Sequence, residues 1–297
     1  MRVTASDFNL IATLESAQNF GFRKLSENCY EGRLQDVVCR VSQENSSLNV
    51  LSDSPVNDKA IRDFFDLDRN LSPLYQIMAQ DPKLRPSYVA FKGLRILRQD
   101  PWEVIAGFII SANNNFKRIQ GIWHRLSESF CGGNYRFPSA EGISKSSESE
   151  LRQLGLGYRA PYLLNTARAF LEKNTSIEVL ASGDIEESRR KLIQWDGIGP
   201  KVAECILLYG FHRLDAFPVD VWVQRVMRKQ YYRGRKVSVV QINRYACKRW
   251  GVWAGYVQQY LFHSARISGL RPEGTGRKTA KVPASHRLGG TTSRRVE

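Results

Sequence analysis

Leu192-Ile193-Gln194-Trp195-Asp196-Gly197-Ile198-Gly199-Pro200-Lys201-Val202-Ala203 is the stretch on which the reading of this chain turns. An amphipathic helix runs into a tight Gly-Ile-Gly turn and leaves it as a second helix, with Pro200 in the first turn where proline fits. The glycines let the backbone approach an anion closely. The free amides and positive dipole end of the second helix then face that anion. A Gly-x-Gly turn alone is weak evidence, because ordinary two-helix turns also carry it. Leu192, Trp195 and Ile198 fall at packing positions around it, and the whole pattern reads as a helix-hairpin-helix that binds a phosphate at Gly197 and Gly199.

Lys201 follows the hairpin directly, where a lysine could be one more phosphate contact. The chain then reaches Phe217-Pro218-Val219-Asp220-Val221-Trp222. Asp220 follows a stiff Pro-Val pair and suits the N-cap of a helix beginning at Val221. An N-cap aspartate is common and by itself means little. An amine and a carboxylate brought together beside a bound phosphate mean more. An amine is a nucleophile when neutral, and a carboxylate stabilises the oxocarbenium-like cation formed when a glycosidic bond breaks.

The rest of the chain agrees with a polyanionic partner. Of 297 residues, 44 are Lys or Arg and 29 are Asp or Glu, a net charge of +15 that favours nucleic acid or an anionic surface. At 42% hydrophobic residues the chain is long enough to bury a sizeable core. The five cysteines, Cys29, Cys39, Cys131, Cys205 and Cys247, are scattered and odd in number, which predicts reduced thiols in an intracellular protein (cytoplasm or nucleoid, or nucleus). His124, His212, His263 and His286 form no ligand-spaced cluster with them, so zinc is not expected. The start, MRVTASDFNL, lacks the apolar run of a signal peptide, and no stretch is long enough for a membrane span.

Residues 1–98 read as an α+β domain, with strands of a small antiparallel sheet over 30–41 and 47–51 and helices over 57–66 and 73–80. From Asp100-Pro101-Trp102-Glu103, a good helix start, the pattern turns helical. Helices are predicted over 116–130, 148–154, 160–173, 185–194, 200–210, 221–231, 239–250 and 254–267 within a helical domain spanning 99–268. Residues 269–297, rich in Gly, Thr, Ser and basic residues, read as a disordered basic tail. There is no internal repeat.

The hairpin, the lysine in its second helix and the Pro-Val-Asp some twenty residues on resemble the helix-hairpin-helix DNA glycosylases, and within them the 8-oxoguanine DNA glycosylase family. The likeness covers most of residues 7–268. It extends to Leu14-Glu15-Ser16-Ala17-Gln18-Asn19-Phe20, Gly93-Leu94-Arg95-Ile96-Leu97-Arg98-Gln99-Asp100-Pro101, Asn113-Asn114-Asn115, Gly155-Leu156-Gly157-Tyr158-Arg159-Ala160 and Trp250-Gly251-Val252-Trp253-Ala254-Gly255-Tyr256. The implied fold is α+β, an N-terminal antiparallel sheet domain followed by two mainly helical subdomains with the active cleft between them. The implied activity is base excision by Lys201 attack on C1′, Schiff-base formation and β-elimination, assisted by Asp220, on a nucleotide flipped out of the duplex.

The resemblance also assigns base recognition to four residues. Gln258 would bond the pairing edge, Cys205 and Phe262 would sandwich the ring, and the Ala17 carbonyl would accept from the N7–H that only the oxidised base carries. Opposite the lesion, Asn113, Arg118 and Arg159 match residues that hold the orphaned cytosine, and Tyr158 matches a wedge in the stack. Two positions depart from the family pattern: Ala17 stands where glycine is common, and Trp222 where some members carry a phosphate-contacting histidine. Only Cys247 lies beyond Asp220, so the four-cysteine iron–sulfur cluster of related groups is not expected. No cofactor or catalytic metal is implied, although carbonyls of Ile193, Trp195 and Ile198 could hold a monovalent cation. The expected partner is double-stranded DNA with a damaged base, bound by a monomer and without a membrane. Two alternatives remain at this stage: a monofunctional alkylpurine or adenine glycosylase, which would lack a use for Lys201, and a non-enzymatic DNA-binding module.

Overall fold

The computed structural model describes residues 1–172 and 177–269. The N-terminal sheet consists of β1 (Arg2–Thr4), β2 (Arg23–Ser26), β3 (Cys29–Leu34), β4 (Val37–Glu44) and β5 (Ser47–Ser52), all antiparallel in the order β1-β5-β4-β3-β2. Alternation sets its faces. Tyr30, Val41 and Val50 lie opposite one another across three strands and are all buried. They pack, with Leu34, Cys39 and Leu48, onto Phe8, Leu10, Ile61 and Phe65.

The continuous strand expected over 30–41 is instead a hairpin. The chain reverses at Gln35-Asp36, where Leu34 pairs with Val37 and Gln35 takes φ 52. A non-glycine residue rarely adopts that conformation, and the segment carries none of the Asn-Gly or Gly-Gly signals that mark tight hairpins. β1 and β2 are three and four residues long and gave no separate signal.

The helices are α1 (Leu10–Leu14), α2 (Asp58–Phe64), α3 (Ser72–Gln80), α4 (Arg85–Phe91), α5 (Pro101–Ser111), α6 (Phe116–Cys131), α7 (Ala140–Ser144), α8 (Glu148–Leu151) and α9 (Ala160–Leu171). They continue with α10 (Ile177–Ser182), α11 (Ile185–Ile193), α12 (Pro200–Tyr209), α13 (Val221–Tyr231), α14 (Val239–Trp250) and α15 (Ala254–Ile267). Caps fix many starts: Asp100 accepts from the Glu103 amide at 3.0 Å, and Asp220 from the Val223 amide at 2.8 Å. The helix expected over 148–154 stops at Leu151, and a widened turn follows through Leu156 because Gly155 takes φ 97.

α5, buried on almost every side, packs on α6, α9 and α12 and joins the helical body. The core of that body reaches back across residue 98: Phe20, Leu74, Met78, Leu84 and Leu94 belong to it, while Leu97 belongs to the sheet's core. The expected tail lies, from residue 270 onward, outside the described residues. No described helix is long and apolar enough to cross a membrane.

Candidate active site

α12 organises the site. Lys201, Cys205 and Tyr209 recur on it at four-residue spacing and so share a face, with Glu204 on the neighbouring one. The hairpin before it is held from behind by α9. The Thr166 hydroxyl donates to the Asp196 carbonyl at 3.1 Å, and the Asn165 amide to the Asp196 carboxylate at 2.8 Å. Gly197 has φ 77, and a Cβ there would meet the Tyr162 side chain at 2.8 Å, so only glycine fits. Gly199 faces open space, where a phosphate could come up to the free amides of α12. Leu192 and Ile198 are buried, and Trp195 packs partly into the core, as their spacing predicted.

Lys201 is half-buried, its amine 5.2 Å above the centroid of the Phe108 ring. Phe108 stacks in turn on Tyr209, with centroids 5.4 Å apart and planes within 7°. Cys205 lies one turn from Lys201. Burial pushes its thiol up to about 11, with the nearby lysine charge acting in the opposite direction, so it remains a thiol at neutral pH. Burial also raises the Asp220 carboxyl above its ordinary value. The Val223 and Trp222 amides and the charges of Lys201 and Arg225 oppose that rise without cancelling it. The structure therefore brings the amine and the carboxylate into one electrostatic neighbourhood.

What fixes Asp220 relative to Lys201 is a residue the sequence reading passed over. Glu204 is 6% exposed, and its carboxylate pairs with Arg189 of α11 and accepts from the Phe217 amide at 2.7 Å. Asn243 of α14 donates to the Phe217 carbonyl at 3.0 Å. The stiff Pro218-Val219 pair then carries the chain from that clamp to Asp220. A cavity of about 550 Å³ lies on this side of α12, lined by Lys201, Glu204, Phe217, Val219 and Asn243 among others. Cys205, Gln258 and Phe262 do not line it, so this cavity is not the space in which those three residues would meet a base.

The residues assigned to base recognition converge from three elements. Gln258 is buried on α15, with Phe262 half-buried one turn on. α15 lies so close to α12 that a Cβ on Gly255 would sit 2.3 Å from the Leu208 side chain. Ala17, on the turn after α1, has φ 57, a left-handed conformation that explains why glycine suits this position.

The residues assigned to the opposite strand cluster at the far end of α5. Asn113 and Arg118 are exposed, Asn113 with φ 48. Tyr158 is 48% exposed and edge-on to Tyr162, the residue packed against Gly197. Arg159, by contrast, is only 2% exposed. Its guanidinium lies 4.3 Å over the Tyr158 ring and donates to the carbonyls of Ala112, Asn113 and Leu156. Trp222 is half-buried with the Arg225 guanidinium 5.8 Å from its ring. In the hairpin, the Trp195 carbonyl accepts from the Ile198 amide at 3.1 Å. Among the described residues, no group of three or more His, Cys, Asp or Glu side chains could hold a metal ion.

The family model for the N-terminal domain of 8-oxoguanine DNA glycosylase matches residues 1–105, and that for the HhH-GPD superfamily of base excision DNA repair proteins matches residues 106–251. The chain belongs to the 8-oxoguanine DNA glycosylase family. It is 34% identical to a probable N-glycosylase/DNA lyase of Methanothermobacter thermautotrophicus, over 93% of this chain and all of that one. It is 31% identical to the N-glycosylase/DNA lyase of Saccharomyces cerevisiae, over 78% of this chain and 74% of that one. The 8-oxoguanine glycosylase/lyase of Clostridium acetobutylicum, solved with DNA containing cytosine opposite 8-oxoguanine, superposes with a TM-score of 0.82 at 28% identity over 91% of this chain and 98% of that one. Sequence and architecture thus agree along nearly the whole described length.

Proposed function

We propose that this protein excises 8-oxoguanine from duplex DNA and then cleaves the strand, with Lys201 as nucleophile and Asp220 as the carboxylate that stabilises charge at the sugar. The observation that carries this reading is that the Lys201 charge acts on the buried Asp220 carboxylate beside the Gly197–Gly199 hairpin. Family membership and the names of the relatives support the same reaction class.

The hairpin amides and the start of α13, with Trp222, hold the phosphates flanking the flipped nucleotide. Ionised Asp220 stabilises positive charge as the N-glycosidic bond lengthens. The Lys201 amine forms a bond to C1′ and the base leaves with the bonding pair. Opening of the sugar ring gives the Schiff base, the ring oxygen taking a proton. Loss of a C2′ proton then expels the 3′-phosphate, and water releases the lysine. Gln258, Cys205, Phe262 and the Ala17 carbonyl receive the damaged base. Asn113, Arg118 and Arg159 favour cytosine opposite it, while Tyr158 fills the stack. For Arg159 the weakest of its present bonds, 3.4 Å to the Leu156 carbonyl, is the one most readily exchanged for a base. Carbonyls of Ile193, Trp195 and Ile198 are the candidates for a monovalent cation.

Borohydride trapping tests the reading. Duplexes carrying 8-oxoguanine opposite each of the four bases are expected to give a covalent adduct, strongest opposite cytosine and absent in Lys201→Gln. Base release without an adduct would mean a monofunctional glycosylase. Neither adduct nor release would mean another lesion or a binding module.

A further inference from the structure

Ala17 holds a left-handed backbone, φ 57, that residues other than glycine rarely adopt. Something must hold it there. The Ser16 carbonyl, fully buried, accepts at 3.0 Å from the side-chain amide of Gln259, 243 residues away on α15. The Gln259 oxygen accepts in turn from the Tyr209 hydroxyl. Gln259 is completely buried and Tyr209 is 4% exposed. Burial and neighbouring negative charge hold the Tyr209 hydroxyl far above its ordinary pKa, so it stays a donor. Tyr209 stacks on Phe108, the ring beneath the Lys201 amine. One continuous buried chain, Phe108–Tyr209–Gln259–Ser16, thus joins the helix that carries the nucleophile to the turn that carries Ala17.

Other bonds fix the two flanks of that turn but not its centre. Arg266 donates to the Glu15 carbonyl at 2.8 Å. The Gln18 side chain donates to the Arg95 carbonyl at 2.8 Å and accepts from the Leu97 amide at 2.9 Å. Among the described residues no donor occupies the Ala17 carbonyl itself. The Tyr209 hydroxyl also lies 3.3 Å from the Gln258 oxygen. Its single proton goes to Gln259, the nearer of the two, which leaves the Gln258 amide free for a base edge.

We propose that Tyr209 and Gln259 are positioning residues for recognition of the damaged base. They fix the Ser16 carbonyl, and through it the direction of the Ala17 carbonyl, relative to the helix that carries Lys201. The proposal rests on the reading that Ala17 contacts the flipped base. Packing alone does not call for this arrangement, because apolar side chains of similar size would fill the same space without burying two polar groups. The polar chain supplies a direction, which a packed side chain cannot.

The test compares two substrates on the full chain. One is a duplex with 8-oxoguanine opposite cytosine, read as single-turnover base release. The other is the same duplex with an abasic site, read as strand cleavage; it requires Lys201 but offers no base. Gln259→Leu is expected to slow base release by roughly 10- to 100-fold, the usual consequence of misaiming a contact by a fraction of an ångström to one ångström. Abasic cleavage should change by less than about threefold. Tyr209→Phe, which removes one hydroxyl and keeps the stacking, should move the ratio in the same direction by less. If Gln259→Leu fails to fold, abasic cleavage is lost as well, and Tyr209→Phe alone decides. Equal losses on both substrates in the folded variants, or unchanged base release in both, would overturn the proposal. Failure of the underlying reading is visible separately: wild-type protein would then release 8-oxoguanine no faster than guanine in the same context.

Discussion

Asp66, at the seam between the sheet domain and the helical body, and Asp220, at the start of α13, are acidic side chains drawn into the protein under very different company. Burial pushes both towards the neutral form. At Asp66 that push is overcome by bonds from His212 and Arg69, and its carboxyl lies well below the ordinary range. Arg98 adds a third partner at 3.0 Å, and the cluster ties the α2–α3 connection to the loop after α12. At Asp220 two backbone amides, Lys201 and Arg225 fall short of the burial cost, and its carboxyl is raised. Saturation with counter-charges makes Asp66 a clamp. Asp220 is left under-compensated, which suits the charge-stabilising role proposed for it.

Neutralising each acid should separate the two roles most sharply. Asp220→Asn keeps a good N-cap acceptor for the Val223 amide but removes the charge. Base excision should fall by about 10²- to 10³-fold in single-turnover assays. Stability should not fall, because a raised carboxyl pKa means that its ionised form disfavours the folded state at neutral pH. A parallel loss of melting temperature would make Asp220 a structural residue after all.

Asp66→Asn should do the reverse. It leaves Arg69 and Arg98 without their carboxylate, and urea unfolding should show a loss of about 2 kcal/mol, moderated because both arginines are partly exposed. Excision well below the melting temperature should be nearly unchanged. A large rate defect in a fully folded Asp66→Asn protein would remove the distinction.

The smallest effect lies in the pH profiles. Asp66, with its lowered pKa, contributes stability that is present above the unfolded value near 4 and lost as pH falls below it. Wild-type protein should therefore lose stability below about pH 4, and Asp66→Asn should lose less. Asp220, with its raised pKa, should place an acidic limb of excision above pH 4. That limb should disappear in Asp220→Asn and persist in Asp66→Asn. Coincident limbs would mean that acid inactivation is simply unfolding.

Much of the helical body was legible because its signals are local. The expected helices over 221–231, 239–250 and 254–267 coincide with α13, α14 and α15, each with strong periodicity and, for the first two, a capping side chain at the start. The hairpin was legible because Gly197, Gly199 and Pro200 dictate their own backbone. The sheet was less so. Nothing in Leu34-Gln35-Asp36-Val37 marks a reversal, and the turn exists because pairing and burial on both sides outweigh the cost of Gln35 at positive φ.

The sequence by itself determined a basic chain, a helix-hairpin-helix turn with a lysine just beyond it, an aspartate at a helix start and the family to which these belong. Tertiary structure alone decided how those groups are aimed. It held the Asp220 loop through Glu204, turned Arg159 inward onto the carbonyls of Ala112 and Asn113, and joined Tyr209 to Ser16 through Gln259. The physical reason is range. Helix caps, glycine turns and charge are set by neighbours a few residues away, whereas the desolvation of a carboxyl group or the direction of a buried hydrogen bond depends on atoms that only folding brings together.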